Sequence, residues 1–220
     1  MKKLLITTAL ISTVAASSVL AHDKGRFNTY HVTIKNTTAH HIITPPVVIA
    51  HNHKFKLFEL GNSDAPASSE LATLAETGNN APLVESLEYD DNVSATATGG
   101  GIPPGSSITI EIEAPKRTLF SVTGMLATTN DAIMAVRNVK APRKHRTTHV
   151  HGMTYDAGSE MNNEDCNYIP GPPCNNGSNL NHPGEGFVTI HNGVFGKMDL
   201  IPSNLDWRGP TAVVSIHNDN

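Results

Sequence analysis

Apolar and polar residues alternate one for one in several short stretches of this chain. Val32 and Ile34 alternate with Thr33 and Lys35, and Ile108, Ile110 and Ile112 alternate with Thr109, Glu111 and Glu113. A period of two with β-branched residues predicts half-buried strands. Val47–Ala50, Leu119–Leu126, Ile133–Val139, Thr147–Tyr155, Phe187–His191 and Ala212–His217 extend the series. The pattern turns helical in one region, "APASSELATLAETG" from Ala65 to Gly78. There Leu71, Leu74 and Ala75 share a face, serines stand at the entry, and Gly78 occupies a C-cap position. A second short helix is expected over Pro82–Leu87. About eight or nine strands with one or two short inserted helices describe a mainly β, antiparallel sandwich. Residues 156–184 form a long Asn-, Gly- and Pro-rich loop, a length that usually accompanies function.

The first residues stand outside this pattern. Met1-Lys2-Lys3 is positive, Leu4–Leu20 carries no charge, and Val19-Leu20-Ala21 fits a signal peptidase site. Residues 1–21 are therefore expected to be a secretory signal, leaving 22–220 as one domain. The expected compartment is the periplasm or the medium. No other segment is apolar for long enough to span a bilayer. Without Lys2 and Lys3 the chain holds 14 basic and 20 acidic residues. That balance makes nucleic acid an unsuitable partner and suits divalent cations. In an oxidising compartment, Cys166 and Cys174 are expected to pair across a turn-rich loop. A two-thiolate metal site is the alternative.

The chemistry concentrates in "YDAGSE". Asp156 and Glu160 flank a glycine just after a strand-like run. Two carboxylates, a hydroxyl and a sharp turn offer the oxygen ligands that calcium takes, although the pattern is not an EF-hand. The plainer reading is a strand-end turn in which Asp156 caps backbone N–H groups and Glu160 faces solvent. Asp131, in "LATTNDAIMAV", lies at another junction between strands. A glycosidase pair is a poor fit for Asp156 and Glu160, four residues apart on one loop. No G-x-S-x-G nucleophile motif is present.

Twelve histidines are many for 220 residues. His149 and His151 share a strand face, with His145 nearby, and His51 and His53 form H-N-H. Such sets suit copper or zinc, or are merely polar positions on a sheet. His191 and His217 follow inward Val and Ile pairs, so both are expected to point outward. His51 follows a buried run and is expected to pack or hydrogen-bond. If His22 begins the exported chain, its α-amine and imidazole could form a copper brace, as in secreted copper monooxygenases. A lone Trp207 argues against the aromatic carbohydrate face such enzymes use.

The order of several strings resembles the spondin N-terminal domain in a bacterial secreted form. They are "YHVTIKNTT", "ITPPVVIAHNHKFKLFELGNSD", "LATLAETGNNAPL", "PPGSSITIEI", "FSVTGMLATTNDAIMAV" and "YDAGSEMNNE". The resemblance covers most of residues 22–220. It implies a C2-like β-sandwich with one structural calcium ion held at Asp131, Asp156 and Glu160. It also implies a binding or adhesion role toward an extracellular or cell-surface ligand. Glu160 departs from the family pattern, since animal members carry Asp there. The thrombospondin-type repeats of the animal proteins are missing from this chain.

Overall fold

The computed structural model describes residues 27–176 and 179–220; the expected leader and His22 lie outside them. Nine strands are present among the described residues. They are β1 (Phe27–Asn36), β2 (Val47–His51), β3 (Val93–Thr98), β4 (Ser107–Pro115), β5 (Leu119–Met125), β6 (Ala132–Lys140), β7 (Thr147–Asp156), β8 (Thr189–Ile190) and β9 (Ala212–Asn218). All neighbours pair antiparallel, in the order β3-β2-β5-β6-β7-β9-β1-β4, with β8 added beside β7.

One strand makes this series into a sandwich. The first part of β7, Thr147–Gly152, pairs with β9, and Met153–Asp156 pairs with β6. β7 thus passes from one layer to the other, with Gly152 at the change. A Cβ there would lie 2.8 Å from Met134 Sδ and 3.1 Å from the Ala212 methyl, so glycine lets the layers meet here without Met134 and Ala212 having to give way. Between them lies a core of alternating residues from both layers. Tyr30, Val32 and Ile34 of β1 and Val214 and Ile216 of β9 face Val48, Phe120, Val122 and Met134.

The unbroken apolar runs have a separate cause. β2 is buried at every position because its other face is covered as well. The covering elements are α1 (Ser69–Thr77) and α2 (Ala81–Glu88), inserted between β2 and β3. Leu71, Leu74, Ala75, Leu83 and Leu87 pack on Val47, Ile49, Ile133 and Ala135 in a second core. Ser68 caps α1 by accepting from Leu71 N, and Gly78 closes it at φ 73°.

Sequence and structure diverge at three places. β3, "VSATAT", carries mostly small residues and shows only a weak alternation, since it lies at a sheet edge with neither face fully covered. The strand expected over Phe187–His191 shrinks to the two residues of β8. A one-turn helix α3 (Pro202–Leu205) follows a loop that the pattern left unassigned. Apart from β8 and α3, the described residues between β7 and β9 are mostly irregular and pack on the turn before β6. The Cys166–Cys174 disulfide braces this segment. A small third core of Ile169, Val194, Leu200 and Leu205 fills it.

Candidate metal centre

Asp131 sits in the tight turn that feeds β6. Thr129 shapes that turn: its hydroxyl donates to Leu126 O at 2.7 Å and accepts from Ala132 N at 3.1 Å. Thr128, Thr129, Asn130 and Asp131 are all buried, and Asp131 has no exposure at all. Register then brings the second acid alongside, because Ala132 pairs with Asp156 at the end of β7. Ala157 N donates to Asp131 O, which ties the two strand ends together.

The "DAGSE" segment wraps around Asp131. Asp131 Oδ2 accepts from Ser159 N at 2.8 Å, from Glu160 N at 3.0 Å and from the Ser159 hydroxyl at 3.3 Å. Asp156 Oδ1 accepts from Gly158 N at 2.7 Å, and its Oδ2 from Asn162 Nδ2 at 2.6 Å. Gly158 has φ 70°, and a Cβ there would run into the Phe187 backbone. Asp156 does cap the turn in the ordinary way, but the turn's amides converge on Asp131, 28 residues earlier in the chain.

Glu160 is fully buried rather than solvent-facing. Its N–H belongs to the Asp131 cluster, while its carboxylate turns toward the 181–184 loop and accepts from Asn181 N. Glu76 of α1 and His182 stand beside it. His182 Nε2 is 3.8 Å from Glu76 Oε1, and His182 Nδ1 bonds to Ser159 O at 2.8 Å. The structure therefore brings Asp131 and Asp156 near enough to interact electrostatically, across one backbone hydrogen bond, and joins Glu160 to Asp131 through its N–H.

Burial dominates the electrostatics. Asp131 and Asp156 are both raised above the usual carboxylate range, first by loss of water. Backbone N–H groups oppose the shift in each, while the charge of Glu185 adds to it. Asp131 in turn raises Asp156. Glu160 is pushed up to about 7 by burial, which the Asn181 hydrogen bond offsets in part. Three carboxyl groups thus crowd one end of the sandwich with no lysine or arginine among the causes. Two of their oxygens, Asp131 Oδ1 and Glu160 Oε2, are buried without a hydrogen-bond partner, as is Glu76 Oε1. Native proteins leave few such atoms, because each costs roughly 1–3 kcal/mol.

A cavity of about 110 Å³ opens beside Asp156, lined among others by Asn130, Asn162, Glu185, His191 and Phe195. His191 does not point outward as its sequence pattern suggested. Its ring lies 5.1 Å from that of Trp207, and burial lowers its pKa to about 4. The strand that would have alternated it outward stops at Ile190. Sequence reasoning also missed Glu185 and Glu76. A glutamate on a short helix reads as a solvated position, and nothing local marks Glu76 as buried. His51 behaves as expected, fully packed with Nε2 2.8 Å from Ser121 Oγ. His149 and His151 share the exposed face of β7, where His149 Nδ1 bonds to Ser215 Oγ at 2.8 Å.

Among the described residues no three His, Cys, Asp or Glu side chains are grouped so that they could hold a metal ion between them. Calcium asks for less than that, since backbone carbonyls, amide oxygens and water fill much of its coordination. The donor set here is all oxygen, with orphaned buried oxygens on Asp131 and Glu160, and so fits a hard divalent cation. Set against known proteins, the chain matches no family model and no curated protein.

Proposed function

We propose that this is an exported calcium-binding β-sandwich domain of the spondin type, with a binding or adhesion role outside the cytoplasm. The observation that carries the reading is Asp131 Oδ1, a fully buried carboxylate oxygen without a partner, next to a second buried carboxylate, Asp156. Asp131 and Asp156 anchor the ion. Glu160 is the third acid of the reading, and for its Oε2 to reach the ion its carboxylate must swing back from the 181–184 loop. The ion's chemistry is structural: it cancels the repulsion between buried acids and fixes the start of the 157–188 loop. The disulfide and the absence, among the described residues, of a helix long and apolar enough to cross a membrane are compatible with export. A transition-metal role at histidines is the second reading, favoured by the exposed His149 and His151.

Elemental analysis of the native protein, with melting in calcium and in EGTA, tests the proposal. The expectation is one calcium per chain and a melting point that rises with calcium. A metal-free protein whose melting is indifferent to chelator and to millimolar calcium would refute it.

A further inference from the structure

The outer face of the β4-β1-β9-β7 layer carries a second set of metal donors, far in sequence from the acidic turn. Register places Glu111, His31, His217 and Thr147 in one row across the four strands. Directly opposed side chains in such a row have Cβ atoms about 4.5–5.5 Å apart. His31 and His217 are thus neighbours by topology, although 186 positions separate them. Asp219 follows β9 and is fixed by its N–H, which donates to Thr29 O at 3.1 Å. Its carboxylate lies between the two rings. His31 Nε2 is 2.6 Å from Asp219 Oδ2, and His217 Nε2 is 3.3 Å from Asp219 Oδ1.

We propose that His31, His217 and Asp219 form a binding site for a zinc-class divalent ion. The donors match the chemistry: two imidazole nitrogens and one carboxylate suit zinc, as calcium's all-oxygen preference does not. Ligands about 2.0–2.2 Å from a tetrahedral zinc lie about 3.3 Å from each other. The His217–Asp219 separation already has that value, and the His31–Asp219 pair need only open by several tenths of an ångström. In the structure each ring pairs with the Asp219 carboxylate, and the three side chains do not yet stand as a group that could hold an ion, so binding requires them to open around it. His217 Nδ1 is 2.9 Å from Thr147 Oγ1. A hydroxyl donates or accepts, so Thr147 can accept a hydrogen bond from Nδ1–H and so leave Nε2 as the unprotonated nitrogen for the metal. Glu111, exposed and opposite His31, adds negative charge beside the ion. All three ligands are 33–43% exposed at the side chain, which leaves the site open to solvent and to a fourth ligand.

The test uses the untagged chain, stripped of metal and titrated with Zn²⁺ by calorimetry and with Co²⁺ by visible absorption. The expectation is one equivalent lost, or weakened at least tenfold, in each of His31→Gln, His217→Gln and Asp219→Asn. The double change His149→Gln with His151→Gln should leave that equivalent within threefold. These are surface positions, and unchanged melting in EDTA would show that the variants fold. The proposal is overturned if the triple variant keeps the stoichiometry and affinity of the parent. It is equally overturned if only the His149/His151 change removes the ion. Calcium binding at Asp131 plays no part in either outcome.

Discussion

Replacing Asp131 by alanine or by asparagine separates its two jobs. The carboxylate accepts from two backbone N–H groups, Ser159 at 2.8 Å and Glu160 at 3.0 Å, and more weakly from the Ser159 hydroxyl. Hydrogen bonds to a charged acceptor contribute roughly 1.5–3 kcal/mol each. Alanine removes both and strands two amides, so the loss is about 3–5 kcal/mol. Asparagine keeps an acceptor oxygen and removes the buried charge, so the charge assistance it surrenders, about 1 kcal/mol per bond and about 2 kcal/mol in all, is the most it should lose. Urea unfolding in EGTA should therefore place asparagine about 2 kcal/mol above alanine. Calcium gives the second readout. At a hundred times its dissociation constant it should stabilise the parent by about 2.7 kcal/mol and either variant by far less. If alanine unfolds within 0.5 kcal/mol of asparagine in EGTA (a margin of about the usual error), the turn does not depend on this carboxylate. If asparagine retains the full calcium gain, Asp131 is not a ligand.

Other outcomes follow from single features. His191 has its pKa lowered to about 4 from 6.5, so the unfolded chain takes up the proton first. Stability from this group is complete above pH 6.5 and is lost as pH falls through about 4, by on the order of 3 kcal/mol. Urea unfolding of the parent against His191→Gln between pH 7 and pH 4 should show that difference, and a ring titrating near 6.5 by NMR would contradict it. Gly158→Ala forces a side chain into a left-handed residue against the Phe187 backbone. It should cost at least about 2 kcal/mol and weaken calcium binding, read by the same melting experiment. Opening the Cys166–Cys174 bridge, a separation of 8 residues, should cost about 2.5 kcal/mol by loop entropy, measured for Cys166→Ser with Cys174→Ser. Leu74→Ala, at a site with no exposure between α1 and the sheet, should cost about 2–5 kcal/mol in denaturant unfolding.

Much of this fold is written locally. The alternation at Val32–Lys35 and Ile108–Glu113 marks β1 and β4, because a half-buried strand must show one face to the core. The Ser68 entry and Gly78 exit bound α1, because helix ends need those partners wherever they lie. The all-apolar run at β2 signals two covered faces, and α1 and α2 supply the second cover. Asp131 and Asp156 stand out as acids at strand junctions, and the disulfide joins the chain's two cysteines across a short turn-rich stretch.

Other features depend on pairs distant in sequence, which no local pattern encodes. Whether Asp131 meets Asp156 rests on the β6–β7 register, and whether Glu160 turns to Asn181 rests on where the 181–184 loop returns. Glu76 looks like a solvated helix residue until that loop covers it. His191 loses its outward direction because β8 ends one residue earlier. The His31–His217–Asp219 set exists only because β1 and β9 pair across nearly the whole chain. The sequence determined which residues form strands, caps and buried faces, since those choices depend on neighbours within a few positions. Only the tertiary structure decided which acids and histidines share a site, since that is set by sheet register and by loops that close far from where they begin.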